Sequence, residues 1–333
     1  MCCTRSSTIN VLSSYYWEVN HMRSRSLLTL FIAILLGLAL QPHSLSAAPT
    51  DLELAYRWAP IHYQDTDSTD YDADYLTAVN YDGEWDTLNN WEHQDDLLSR
   101  LKGVVYYSVT ETSSHWYIVY GFYHPRDWSD IAFDNTHEND MEGVLAVVRK
   151  DGSTYGRFEG LVTVFHRDFF SFTPSGSVLR SGQESIDGSV VMRTFDGVAH
   201  PTTFQEAKGH GAKAWNGSSF PGGDGVIYYP NRTTGEVPSS GNDSSVTYQL
   251  VNIFAADGLW AHRSDPLTFV RWGVFRGDNG SDNAANAPWR WDDQDDGSSL
   301  TGGELATDPA KLVGIYFSNL GSFSYSYLRN AYR

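Results

Sequence analysis

Three carboxylates and one imidazole stand close together in this chain: Asp127, His137, Asp140 and Glu142, the last three in an HxxDxE pattern. On an extended strand successive side chains point to opposite faces, so Asp140 and Glu142 project together while Met141 projects away. The residues that follow, Gly143 to Val148, are apolar on both faces, which marks a buried strand. Carboxylates entering such a strand cost several kcal/mol each unless positive charge meets them, and a bound cation is the simplest source. Three carboxylates and an imidazole form an oxygen-dominated set. It suits Mg²⁺, Ca²⁺ or Mn²⁺ better than a structural zinc site built from thiolates, with water or a substrate oxygen completing the shell. The alternative is that these residues only hydrogen-bond a loop and pair with Arg126 or Arg149, since HxxDxE by itself also arises by chance.

Other residues could support such a centre. His210 lies between Gly209 and Gly211, where backbone can approach closely and an imidazole can point into a cleft. Lys208 and Lys213 beside it could hold an anionic group or be solvated, and His124 precedes Asp127 by three residues. Two acidic runs invite calcium: DTDSTDYDAD from Asp65 to Asp74, and DDQDDG from Asp292 to Gly297. The second starts like an EF-hand loop, with Asp292 and Asp296 as structural calcium candidates, but Gly303 stands where the closing Glu belongs. A solvated acidic loop is the simpler reading of both runs. Trp289 and Trp291 flank the second run; they could hold a sugar ring, although core packing accounts for them more simply.

The elements that must position these residues read as strands. Short apolar and aromatic runs cover Val104 to Val109, Trp116 to Tyr123, Gly143 to Val148, Leu161 to Phe165, Val190 to Phe195, Val226 to Tyr229, Val246 to Phe254, Phe269 to Phe275 and Leu312 to Phe317. Turn-rich segments separate them, a pattern that predicts an all-β fold, an antiparallel β-sandwich with long loops and a few short helices. The clearest hairpin, Val104 to Tyr123, leads directly into the Asp127 loop. Trp91 to Lys102 and Thr203 to Trp215 are the helix candidates, the latter weakened by Gly209 and Gly211. Gly222 to Ser245, with two prolines and a GNDSS run, is the expected loop excursion.

The first 47 residues read as a leader. Arg23 and Arg25 follow a second methionine, Met22, as a basic start, and Leu27 to Leu40 is an apolar run of fourteen residues followed by small side chains up to Ala48. Fourteen residues are short of the ~20 needed to span a bilayer, so a secretory signal is expected, with Met22 as the true start and residues 48–333 as one domain; an uncleaved anchor is the alternative. Both cysteines, Cys2 and Cys3, lie in the leader, so the exported chain must be held without disulfides by its own core, for which about 285 residues are ample. Loss of Arg5, Arg23, Arg25 and Glu18 with the leader takes the formal charge from −18 to −20. Such a surface disfavours nucleic acid and anionic lipid as general electrostatic partners and favours divalent cations. Four sequons, at Asn216, Asn231, Asn242 and Asn279, fall in turn-rich segments and matter only in a glycosylating host.

With Asp127, His137, Asp140 and Glu142 taken together, the stretch YGFYHPRD followed by HENDME resembles the YxWYxPKD and GHRHDWE signatures of necrosis- and ethylene-inducing peptide 1-like proteins. HENDME alone is also similar to the HEGDWE signature of the vacuolar-sorting Vps62-like family. The resemblance covers roughly residues 117–148, and KGHG at Lys208 to Gly211 is similar to a histidine-glycine loop in both groups. It implies a β-sandwich with Mg or Ca held at one edge by Asp127, His137, Asp140 and Glu142. Met141 stands where the family has Trp, Asn139 where it has a second His, and the Asp-to-His spacing is two residues longer.

The resemblance implies a secreted, metal-dependent protein that recognises a glycolipid or glycan headgroup, touches a target membrane peripherally and has cytolytic capacity. A metal-dependent hydrolase of phosphoesters or glycans is one alternative, with His210 or His124 beside the ion. A calcium-stabilised lectin-like module is the other.

Overall fold

The computed structural model describes residues 48–130, 136–281, 283–295 and 300–333, of which all but Ala48 belong to one compact unit, Pro49–Arg333. The expected leader, residues 1–47, and Asp296 lie outside the described residues. Among those described, no helix is long and apolar enough to cross a membrane.

The fold is mostly β with short helices. Strands β1 (Ile61–Asp65), β2 (Val104–Thr112), β3 (His115–Asp127), β4 (His137–Arg149), β5 (Arg157–Phe165) and β6 (Asp168–Thr173) come first. After them run β7 (Arg180–Ser181), β8 (Gly188–Ser189), β9 (Met192–Phe195), β10 (Val198–Gln205), β11 (Ala212–Ala214), β12 (Gly225–Asn231) and β13 (Val246–Asn252). The chain ends with β14 (Phe269–Arg271), β15 (Val274–Phe275), β16 (Phe317–Ser318) and β17 (Tyr327–Arg329). Thirteen strands make one curled sheet in the order β11-β10-β1-β12-β13-β2-β3-β4-β5-β6-β8, with β17 beside β2 and β9 beside β10. The expected antiparallel sandwich is thereby corrected to a mixed sheet. Strands β2 to β6 form an antiparallel meander, whereas β1 with β10, β12 with β13, β13 with β2, and β6 with β8 are parallel.

The meander is apolar on both faces because both faces are covered. Trp116, Ile118, Tyr120 and Phe122 of β3 and Val144, Ala146 and Val148 of β4 join one core; Tyr117, Val119, Tyr123, Met141, Leu145 and Val147 join the other. Each large apolar side chain fully buried this way contributes roughly 1.5–3 kcal/mol. Helix Asp51–Trp58 closes the first core with Leu54, Ala55, Tyr56 and Trp58, its N-terminus held by a capping box between Thr50 and Glu53. Helix Pro309–Tyr316 closes the second core.

Two further expectations change. Leu312 to Phe317 is helical up to Tyr316, because Pro309 starts the helix and Ala310, Leu312, Val313 and Tyr316 bury one helical face. Thr203 to Trp215 is β10, a loop and β11, since Lys208 and His210 adopt left-handed backbone and Gly209 and Gly211 break any helix. Asn90–Asp96 is helical as its pattern suggests, and the Gly222 to Ser245 excursion contains β12.

Candidate metal centre

Register along the β3–β4 hairpin sets Asp127 opposite His137, His124 opposite Asp140 and Phe122 opposite Glu142. Strict alternation would send His137 to the same side as Met141, away from Asp140 and Glu142. Asn139 interrupts it with φ 59°, left-handed backbone that asparagine tolerates better than most residues, and His137, Asp140 and Glu142 line one cavity with Asp127. Its fully buried side chain fixes this turn. Tyr123 Oη and Asn90 Nδ2 donate to Asn139 Oδ1 at 2.5 and 3.1 Å, while Asn139 Nδ2 donates to the carbonyls of Thr87 and Arg276 at 3.0 and 2.9 Å.

Each carboxylate of the set faces a histidine. His137 Nε2 lies 3.4 Å from Asp127 Oδ2, and its Nδ1 donates to the Asn139 carbonyl at 2.8 Å. That bond commits the ring to presenting Nε2, as second partners do for metal-binding histidines. His210, fully buried in the β10–β11 loop, contacts Asp140 Oδ2 through Nδ1 at 3.0 Å and Asp74 Oδ1 through Nε2 at 3.2 Å. In the β5–β6 turn, His166 meets Glu142 Oε1 through Nδ1 at 3.2 Å and Glu206 Oε1 through Nε2 at 3.0 Å. Glu142 also accepts the backbone N–H groups of His166 and Ala212, at 2.7 and 3.1 Å.

Burial, and after it the charge of Asp140, pushes the Asp127 carboxyl up to about 7. Burial pushes Glu142 up to about 8, while bonds to Glu142 and Glu206 raise His166 to about 11, so the proton of that pair resides on the imidazole. Burial opposes charge on His210, but its bonds to Asp140 and Asp74 outweigh that and lift it to about 10. His124 stacks on His210 with centroids 3.8 Å apart, and burial followed by that neighbouring charge holds it well below the ordinary value. One imidazole of the stack is charged and the other neutral.

The cavity measures about 650 Å³, within the usual range of ligand sites. Oxygens of Asp127, Asp140 and Glu142 and His137 Nε2 are donors of the type a hard divalent cation takes, though no three of them lie within 4.8 Å of one another, and such an ion would compete with His210 and His166 for Asp140 and Glu142. Arg126 and Arg149 do not hold these acids, being paired with Asp70 and Glu159. Lys208 bonds Asp67 and Asp130, and its backbone N–H donates to Asp74 Oδ1 at 2.8 Å.

Among the described residues, carboxylate oxygens gather in threes within 4.8 Å at two places, neither of them this set: Asp70 with Asp72 and Asp95, and Asp168 with Asp293 and Asp295. Asp292 belongs to neither group and lines the cavity instead. Trp289 and Trp291 are buried, and Trp291 Nε1 donates to the Met141 carbonyl at 2.8 Å. Sequence reasoning missed Asp74, Asn139 and His166 as parts of the site. Asp74 was visible only as one acid among many, and His166 belongs to no motif.

The centre is thus a carboxylate–histidine cavity at the end of a mixed β-sheet. No family model matches the chain, and no curated protein matches it. Solved structures that do match are necrosis- and ethylene-inducing proteins, the group whose signatures the hairpin resembles. One, described as a toxin fold for microbial attack and plant defense, is 16% identical over 81% of this chain and 93% of that chain, with TM-score 0.39. Necrosis and Ethylene inducing Protein 2 from the causal agent of cocoa's Witches Broom disease is 15% identical over 79% and 95%, with TM-score 0.35. NLPPya in complex with glucosamine is 14% identical over 65% and 69%, with TM-score 0.30. The likeness to the Vps62-like family rests on the HENDME residues.

Proposed function

We propose that this chain is an exported, divalent-cation-dependent saccharide-recognition protein of the necrosis-inducing type, with a glycan or glycolipid headgroup as its target. The observation that carries this reading is that Asp127, Asp140, Glu142 and the presented Nε2 of His137 line one cavity large enough for a sugar. A bound Mg²⁺ or Ca²⁺, with Mn²⁺ as the third choice, supplies direct coordination of sugar hydroxyls. The chain's own residues hold the acids in place: His210 and Asp74 fix Asp140, and His166 with two backbone N–H groups fixes Glu142.

Binding is favoured over hydrolysis because His166 and His210 each engage carboxylates through both ring nitrogens, and His124 is fully buried and stacks on His210.

Calorimetric titration of Mg²⁺, with Ca²⁺ and Mn²⁺ in parallel, tests the centre. Asp140→Asn with Glu142→Gln keeps side-chain volume and is expected to weaken Mg²⁺ by at least about 100-fold and to abolish any Mg²⁺-induced rise in Tm. Unchanged affinity in that variant sinks the reading. Dye leakage from vesicles carrying glycosylated sphingolipids then separates a cytolytic protein from a lectin-like module.

A further inference from the structure

The tripeptide Asn-Gly-Ser occurs twice in the chain, at residues 216–218 and 279–281. An asparagine followed by glycine is open to rearrangement, because glycine has no Cβ to keep its backbone nitrogen away from the asparagine side chain. The two copies share one local sequence, so a difference in their chemistry comes from the fold.

Asn279 is held by side chain and backbone alike. Its Nδ2 donates to Glu92 Oε1 at 2.7 Å, and its carbonyl accepts the Glu138 N–H at 3.2 Å. Gly280 bridges to His137 with φ 71°, and a Cβ there would meet the Thr136 carbonyl oxygen at 2.0 Å. The Ser281 N–H donates to that same carbonyl at 2.7 Å. Turning the Asn279–Gly280 peptide toward the Asn279 side chain would break these contacts at the start of β4.

Asn216 is placed the opposite way. It is exposed and follows β11 in a segment without regular structure. Neither its side-chain amide nor the Gly217 N–H bonds any described residue. The chain before it is anchored: the Trp215 N–H donates to the Thr202 carbonyl at 3.0 Å, and the Trp215 carbonyl accepts the Thr202 hydroxyl at 2.8 Å. The Trp215 ring stacks on Tyr63 and on Phe220, with centroids 4.7 and 5.5 Å apart. Residues 216–219 therefore link two packed rings, and Asn216 can turn while both stay in place. A Cβ on Gly217 would meet Trp215 Cη2 at 2.8 Å. A larger residue would have to move that indole, so packing keeps at position 217 the residue that leaves Asn216 open to attack.

We propose that the fold singles out Asn216 as a self-modification site. The Gly217 backbone nitrogen attacks Asn216 Cγ, the C–N bond of the side-chain amide breaks, and the amide leaves as ammonia with the proton from that nitrogen. A five-membered succinimide remains. Water opens it at either carbonyl, leaving aspartate or isoaspartate at position 216. No oxidant or cofactor takes part. Both products add one negative charge, and isoaspartate adds one backbone carbon to the link between Trp215 and Phe220.

The test holds the wild-type protein in mildly alkaline buffer, folded or in urea, and follows both sites over weeks by peptide mass spectrometry, with electron-transfer fragmentation separating isoaspartate from aspartate. In the folded protein Asn216 is expected to convert at least about tenfold faster than Asn279, with isoaspartate the main product. In urea, where only the shared tripeptide remains, the two rates are expected to agree within about threefold. Asn216→Gln, whose amide would have to close a six-membered ring, is expected to lose the acidic form that wild type gains on ion exchange. Equal rates in the folded protein, faster conversion of Asn279, or an Asn216 amide that survives in the folded protein overturns the proposal. A ratio between the sites as large in urea as in the fold overturns it too, because the fold would then not be the cause.

Discussion

The two halves of the β3–β4 hairpin share one register and nearly complete burial, but they are stabilised differently. From Trp116 to Phe122 and Gly143 to Val148 the strands put alternating apolar residues into two cores. From Tyr123 to Asp127 and His137 to Glu142 the same ladder carries His124, Asp140 and Glu142, which bond partners from other elements, and Asp127 and His137, which face each other across the hairpin. The apolar half is held by area, which tolerates small shifts. The polar half is held by pairing, in which removing one partner leaves another buried and charged. A ladder shared with the apolar half can therefore hold the acids apart from water at fixed positions, which a free loop cannot do.

Gly143 joins the two halves, and changing it should have the largest effect. A Cβ there would meet the Tyr120 carbonyl oxygen at 2.1 Å and Trp291 Cη2 at 2.5 Å, and the first of these is backbone that cannot step aside. Gly143→Ala is expected to destabilise by about 3 kcal/mol or more, read from urea unfolding, because overpacking here must part the hairpin. A loss near that of an ordinary surface change would mean that the halves are less rigidly joined than their register implies.

Asn139→Ala comes next and acts on the polar half alone. It leaves Tyr123, Asn90 and the carbonyls of Thr87 and Arg276 without the amide that serves them, and it places alanine in left-handed backbone. A loss of about 2–3 kcal/mol is expected. Asn139→Gly restores the backbone but not the bonds, so it should recover only a small part. Full recovery in glycine would make the backbone, not the amide, the reason for Asn139.

The contrast between the halves also explains what was legible in the sequence. Alternation marked the apolar half, and the HxxDxE pattern pointed to the polar one, because both signals are local. Parallel pairing of β1 with β10 and of β13 with β2 joins strands far apart in the chain, and strand patterns do not name their partners. Leu312 to Phe317 was too short an apolar run to tell strand from helix. His166 reaches Glu142 directly, and Asp74 and Glu206 reach the acids through His210 and His166, all from other segments, so no spacing could announce them. Asn139 read as a missing histidine, whereas its φ of 59° makes it the residue that brings His137 round to Asp140.

Histidine protonation extends the comparison and predicts an effect that vanishes above about pH 6.5. In the polar half His166 and His210 are charged partners of acids. Beside the apolar half, His62 packs 4.2 Å from the Phe122 ring and is pushed by burial to about 3, and His115 at the start of β3 is pushed by burial to about 4. These two stay neutral in the folded protein at pH values where the unfolded chain, near 6.5, binds protons. Stability from them is complete above about 6.5 and is lost as pH falls toward 4, at roughly 1.4 kcal/mol per pH unit for each. Asp65, pushed by burial up to about 7, acts in the opposite sense, because its folded form keeps a proton that the unfolded chain releases above about 4. The net acid limb therefore mixes signs, and a single variant is needed to separate them. His62→Gln removes the titration while keeping a polar side chain near Thr203 and Gln64. Between pH 6.5 and 4 its stability should fall less steeply than wild type by that slope; parallel curves would mean that His62 is charged in the fold and that the apolar half tolerates what its packing argues against.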